Sequence, residues 1–201
     1  MRYFLLYNLV NYEWNLIKRL GGRFMSKKIK VLAMLLGLIM TLSLVGCGGN
    51  SGTSASTELK AGDEAPEFCA DLTNGKSFTL SENKGKVVLI NFWATWCGPC
   101  VEEMPGIEKL QKEYGDKIEI VSVNYGEDKK TVDEFLKDKN YTFKVAYDES
   151  MDICNLYPSD GIPYLVVVDK EGKVHETMVG SAGADEQYKR VLRSLTEAYE
   201  K

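Results

Sequence analysis

The stretch that most constrains this chain runs Val87-Val88-Leu89-Ile90-Asn91-Phe92-Trp93-Ala94-Thr95-Trp96-Cys97-Gly98-Pro99-Cys100. An apolar run of strand length leads into a Cys-x-x-Cys loop, and a helix-type pattern follows. Two cysteines at this spacing can close a small disulfide ring and reopen it with little backbone movement. Cys97 would sit at the helix N-terminus, where unpaired N–H groups and the macrodipole favour a thiolate. A lowered pKa makes Cys97 the attacking sulfur. Cys100, one turn further in, would be shielded and would resolve a mixed disulfide. Pro99 falls in the first helical turn, where its missing N–H costs no hydrogen bond.

A lone Cys-x-x-Cys can also be half of a zinc site. Zinc would need two more ligands, and the only histidine, His175, lies far along the chain without a ligand cluster. Placement after a buried strand, with Trp96 in front, favours redox chemistry and calls for no metal or cofactor.

The run Asn91 to Cys100, followed by Glu103-Met104-Pro105, resembles the TlpA/ResA-like membrane-anchored thioredoxins. The resemblance extends from about Ala65 to the C-terminus and implies a thioredoxin fold. The pattern along the chain agrees with an α/β class. A hairpin is expected around Asn74-Gly75 with Phe78-Thr79-Leu80 returning. The central strand Val87 to Trp93 precedes a helix over Cys100–Tyr114, kinked at Pro105. Then come a strand at Ile118–Val123, a loop Asn124–Asp128, a helix Thr131–Lys139, a short strand Phe143–Tyr147 and a helical turn Asp152–Tyr157. Tyr164–Asp169 and Lys173–Val179 form a hairpin. A last helix from about Asp185 places Tyr188, Val191, Leu192, Leu195 and Tyr199 on its apolar face. Alternating strands and helices give a central mixed β-sheet flanked by helices, parallel around the Val87 strand, with an N-terminal β-hairpin extension.

The 201 residues, 44% hydrophobic and 27% charged, suffice for one domain plus a leader. A net charge of -4 argues against nucleic acid as a partner. Residues 1–24 do not read as part of a fold. Met25 to Lys30 is a positive n-region, and Val31 to Leu44 is an uncharged apolar stretch. Leu44-Val45-Gly46-Cys47 then matches a lipobox with Cys47 as the lipidated residue, so residues 25–46 form a lipoprotein signal peptide. The apolar run is short against the ~20 residues that a spanning helix needs. Gly21-Gly22-Arg23-Phe24 can be encoded by a purine-rich GGAGG just before the Met25 codon, so residues 1–24 look like an over-extended gene start. A real cytoplasmic extension is the alternative. Residues 47–60 combine the lipidated cysteine with a Gly/Ser-rich tether, and residues 61–201 form the thioredoxin-like domain. The expected location is the cell membrane, lipid-anchored and facing outward, since two acyl chains on one anchor suffice for stable attachment.

The resemblance also implies a second half of the site. In thioredoxin-like proteins the peptide before the proline of Gly161-Ile162-Pro163 is cis, and this loop faces the cysteines. Ile162 would then offer its backbone to an extended substrate by β-augmentation. Substrate would be met by Trp96, Gly98 and Pro99 on one side and by Ile162 and Pro163 on the other. Ordinary thioredoxins carry a buried Asp where this chain has Asn91, which cannot take up a proton. Glu103, one helical turn beyond Cys100, matches the acid of the TlpA/ResA-like motif and would handle the Cys100 proton once burial raises its pKa. Its plain alternative is a solvated first-turn carboxylate. Cys69 and Cys154 remain, an even pair that outside the cytoplasm would suit a structural disulfide or stay as two buried thiols.

The expected activity is that of a membrane-anchored thiol-disulfide oxidoreductase acting as a reductase of protein disulfides. Gly98-Pro99 is the dipeptide of reducing thioredoxins, near -270 mV against about -120 mV for the oxidant DsbA. The family implies a CcdA-type membrane electron donor and extracytoplasmic protein substrates, with apocytochrome c and methionine sulfoxide reductases as candidates. A disulfide-forming oxidant is the alternative. A peroxiredoxin would show Pro and Thr where this chain has Ile90 and Ala94. A Sco-like copper chaperone would want Cys-x-x-x-Cys and a distal His.

Overall fold

A computed structural model of the chain describes residues 58–201. The expected extension, signal peptide, Cys47 and residues 48–57 of the tether lie outside the described residues. In order the elements are β1 (Cys69–Asp71), β2 (Ser77–Thr79), β3 (Val87–Trp93), α1 (Gly98–Tyr114), β4 (Ile118–Asn124), α2 (Lys129–Leu136), β5 (Lys144–Ala146), β6 (Tyr164–Val168), β7 (Val174–Val179) and α3 (Ala184–Glu200). Short 3-10 turns occupy Leu80–Asn83 and Cys154–Leu156.

A five-stranded mixed sheet has the order β5-β4-β3-β6-β7. Strands β3, β4 and β5 run parallel, β6 pairs antiparallel with β3, and β7 pairs antiparallel with β6. Every residue of β3 is buried, which is why the run from Val87 to Trp93 shows no alternation of apolar and polar residues. On one face Leu89 and Trp93 pack with Met104, Ile107 and Leu110 of α1, Val132 of α2, and Val191, Leu195 and Ala198 of α3. On the other, Val88, Ile90 and Phe92 pack with Phe68 and Phe78 of the hairpin region and with Tyr157. Each such large side chain contributes about 1.5–3 kcal/mol when fully buried. The N-terminal β1-β2 hairpin therefore serves as the cover for the second face. Its turn takes Gly75 at φ 76°, and the Phe68 and Phe78 rings lie 5.6 Å apart.

Some local expectations shift. The chain enters α2 two residues early because the Asp128 side chain caps it, accepting from the Thr131 N–H at 2.9 Å. Helix α1 begins at Gly98 and runs through Pro105 to Tyr114. Tyr199, expected on the apolar face of the last helix, is 48% exposed, with the Lys170 ammonium 5.2 Å from its ring. Buried Gln187 and Ser194 share the inward face of α3 instead. Cys69 and Cys154 are both free thiols, so the structural disulfide is not formed. Cys69 is exposed on β1 and accepts the Thr79 hydroxyl at 3.7 Å, whereas Cys154 is buried with its sulfur 4.0 Å from the Asn124 carbonyl.

Helices α1 and α3 meet closely at Gly106, where an added Cβ would stand 2.7 Å from the Ala184 carbonyl oxygen. Gly106→Ala gains about 1 kcal/mol of helix propensity but must push backbone apart, at about 1–3 kcal/mol. The expected outcome is a lower urea midpoint with an unchanged slope. A midpoint at or above the parent's would show that the helices separate freely here.

Candidate active site

Strand β3 ends at Trp93, and its antiparallel neighbour β6 starts at Tyr164, paired with Phe92. The Cys97 loop and the Pro163 loop therefore leave the same end of the sheet, although 65 residues separate Cys97 from Ile162. Between them the Cys97 sulfur stands 3.7 Å from the Ile162 carbonyl oxygen. The Ile162–Pro163 peptide is cis, and Pro163 is buried, its carbonyl accepting from the Gly180 N–H at 2.8 Å.

Cys97 is the N-cap of α1, and its sulfur accepts from the Cys100 N–H at 3.2 Å. Cys97 and Cys100 form a disulfide with their Cα atoms 5.2 Å apart, a span that one helical turn supplies without rearrangement. When the bond opens, a Cys97 thiolate meets the free N–H groups and the positive end of the helix. Gly98 and Pro99 occupy the first turn as expected from their order. Cys100 is wholly enclosed and Cys97 only 5% exposed, a narrower difference than the sequence suggests, because the Pro163 loop leans over the outer sulfur. Trp96 is 66% exposed beside it.

Glu103 is 0% exposed and lies one turn beyond Cys100 on the inward side of α1, where spacing of three residues keeps both on one face. The solvated alternative thus applies to Glu102, which is exposed, and not to Glu103. Among the described residues neither carboxyl oxygen of Glu103 has a hydrogen-bond partner within bonding geometry. Burial raises its pKa from 4.5 to about 8, opposed by the nearby Ser181 hydroxyl and the Arg190 guanidinium. Asn91 is buried on β3 and donates its amide to the Ser122 hydroxyl at 3.2 Å. His175 sits on β7 with its Nε2 3.8 Å from the Glu197 carboxylate.

One group was not foreseen. The Glu127 carboxylate accepts from the Thr95 N–H at 2.8 Å, from the Thr95 hydroxyl, and from the Asn124 amide at 2.8 Å. In the sequence these residues read only as a turn and a loop, and the partners of Thr95 lie 32 residues away. The available signal was the Asn124-x-x-Glu127 spacing, in which an Asn side chain commonly takes a nearby backbone N–H.

The chain resembles proteins of known type over this whole region. Residues 60–192 match the Redoxin family. A thiol-disulfide oxidoreductase ResA of Bacillus cereus is 34% identical over 172 residues, covering 85% of this chain and 99% of that protein. The thioredoxin-like protein YneN of Bacillus subtilis (strain 168) is 35% identical over 150 residues, covering 71% of this chain and 88% of its own. Among solved structures, a thiol:disulfide interchange protein of the thioredoxin family from Chlorobium tepidum TLS has a TM-score of 0.60 at 26% identity, covering 71% of this chain and 99% of that one. The exposed lipoprotein thioredoxin of Streptococcus pneumoniae strain TIGR4 has a TM-score of 0.60 at 28% identity, covering 66% and 99%. A cysteine pair held at a helix N-terminus can do what those relatives are named for, and the chain belongs to the Redoxin family as a thioredoxin-fold thiol-disulfide oxidoreductase of the ResA type.

Proposed function

We propose that this oxidoreductase works outside the cytoplasmic membrane, lipid-anchored through Cys47, as a reductase of protein disulfides. The observation that carries the catalytic part is the Cys97 sulfur at the N-cap of α1, 3.7 Å from the Ile162 carbonyl across the cis-proline loop. An extended substrate strand laid along Ile162 would present its disulfide to that sulfur. The Cys97 thiolate attacks one substrate sulfur. A mixed disulfide forms, the substrate S–S bond breaks, and the other substrate sulfur leaves as a thiolate. Cys100 then gives its proton to Glu103 and attacks the Cys97 sulfur. The Cys97–Cys100 disulfide forms and the second substrate thiolate departs. The two electrons delivered must return from a donor, for which a CcdA-type membrane carrier fits the topology.

Glu103 suits the proton step because its carboxyl is enclosed, without a hydrogen-bond partner among the described residues, and shifted to about 8, near the ordinary range of a thiol. Trp96, exposed beside Cys97, and the Gly98-Pro99 turn would complete the contact surface. The reducing direction is supported by the Gly98-Pro99 dipeptide. The anchor is supported by the Leu44-Val45-Gly46-Cys47 lipobox and by the relative described as an exposed lipoprotein. Oxidised extracytoplasmic proteins, apocytochrome c and methionine sulfoxide reductases among them, are the proposed substrates.

Direction is tested by trapping thiols in intact cells with a maleimide label. A reductase is mostly dithiol at Cys97 and Cys100 and shifts to disulfide when the membrane carrier is removed. Its potential lies near -250 mV or below, several kcal/mol from DsbA at about 1.4 kcal/mol per 30 mV. A mostly oxidised pair with a potential above about -150 mV would make the protein a disulfide-forming oxidant. The anchor is tested by Cys47→Ala, which releases the domain from the membrane fraction; a variant retained there as firmly as the parent would reject lipidation as the tether.

The Glu103 role has two signatures. Between pH 4.5 and about 8 the folded carboxyl holds a proton that the unfolded chain has lost. Stability from this group is therefore full below pH 4.5 and is lost as pH rises through about 8. Glu103→Gln, always neutral, removes that slope, so urea midpoints of parent and variant diverge across this window. The variant also loses the limb of the exchange-rate profile near pH 8 and runs about 10-fold or more slower, in line with loss of one general base. Overlaying profiles for rate and stability would return Glu103 to a structural role.

A further inference from the structure

We infer that Glu127 is a positioning residue for the redox pair, acting through Thr95 on the loop that carries Cys97. This rests on the oxidoreductase chemistry and not on the direction of electron flow. Between the end of β3 at Trp93 and the start of α1 at Gly98 there are only Ala94, Thr95, Trp96 and Cys97. The orientation of the Cys97 sulfur is set by how that short loop is held. Thr95, at its centre, gives both its N–H and its hydroxyl to the Glu127 carboxylate. Bonds to an ionised acceptor are about twice as strong as neutral ones, and two donors from one residue to one carboxylate fix direction as well as distance.

The carboxylate is itself tied to the sheet. Asn124, the last residue of β4, is fully buried and paired in register with Trp93. Its side-chain amide donates to Glu127 at 2.8 Å, and its side-chain oxygen accepts from the Glu127 N–H at 3.1 Å. The Tyr125 N–H donates to the Trp93 carbonyl at 2.8 Å, joining the two strand ends once more. Gly126, at φ 73°, turns the chain so that Glu127 comes back over Thr95, with the Met151 Cγ 3.0 Å from where a Cβ would stand. The other wall of the site is referenced to the same strand end. The Cys154 sulfur lies 4.0 Å from the Asn124 carbonyl, and the N–H groups of Ile153 and Cys154 donate to the buried Asp148 carboxylate at 3.1 and 2.7 Å. The Cys97 loop thus takes its position from the end of β4, and the Cys154 sulfur touches that same strand end.

Disulfide exchange needs the attacking, central and leaving sulfurs close to a line, and small misplacements of a reacting atom cost large factors in rate. A carboxylate that merely satisfied a turn would add stability without touching this alignment. Thr95 and Glu127 as a positioning unit should instead show coupled effects on rate. The test uses the full chain in detergent and follows reduction of Cys97–Cys100 by dithiothreitol through tryptophan fluorescence, with no biological partner needed. Each of Thr95→Val and Glu127→Gln slows reduction about 10-fold at a pH and temperature where the far-ultraviolet spectrum is that of the parent. Thr95→Ser, which keeps the hydroxyl, restores the rate. The double variant T95V/E127Q is no slower than the slower single, because both remove one interaction. Urea midpoints are recorded alongside, and Thr95→Val carries the test if Glu127→Gln does not fold. Parental rates in Thr95→Val with only the midpoint lowered, or losses that multiply in the double variant, would overturn the proposal.

Discussion

Burial of β3 on both faces is the constraint that the rest of the molecule depends on. A strand of valine, leucine, isoleucine and aromatic residues, with Asn91 its one polar member and that one buried too, must be central and must be covered twice. The helices cover one side through Met104, Ile107, Leu110, Val191 and Leu195, while Phe68, Phe78 and Tyr157 cover the other. With β4 parallel on one flank and β6 antiparallel on the other, the C-terminal end of β3 becomes the place where three chain segments converge. The reactive sulfur, the cis-proline and the Asn124–Glu127 turn all stand there because the core fixes that strand end and leaves the loops to carry the chemistry.

Much of this was legible locally. A continuous apolar run, a cysteine spacing matching one helical turn and a proline in the first turn each carry their meaning within a few residues. The Asn74-Gly75 hairpin and the Lys170-Glu171-Gly172 turn are likewise local, and both appear where the sequence puts them. The resemblance to thioredoxin-like proteins supplied the cis peptide before Pro163, which spacing alone does not encode.

What escaped depends on contacts distant in sequence. Glu127 reaches Thr95 across 32 residues, and nothing at either position announces the other. Cys69 and Cys154 look like a pair by arithmetic, but one faces solvent on the hairpin and the other points into the core. Tyr199 has the right helical spacing for the apolar face, yet the last turn of α3 leaves it 48% exposed. Asp128 as the cap of α2 is by contrast a local signal, since Asp three residues before Thr131 is a common helix start even where the flanking residues read as a loop.

Asn91 in place of an acid has a physical consequence that binds these observations together. Two carboxyls buried near one pair of thiols would titrate as a coupled set, each raising the other. An amide at Asn91, occupied with Ser122, leaves Glu103 to titrate without that partner. Burial then governs its ionisation, with Ser181 and Arg190 only moderating the shift. In the proposed cycle a single enclosed acid near pH 8 accepts the Cys100 proton during resolution and returns it when the pair is reduced again. The same enclosure that makes Glu103 a usable base makes its ionised form costly to the fold, so the proton is held at a site whose stability falls as that proton is lost. Catalytic readiness and stability therefore draw on one buried carboxyl in opposite senses.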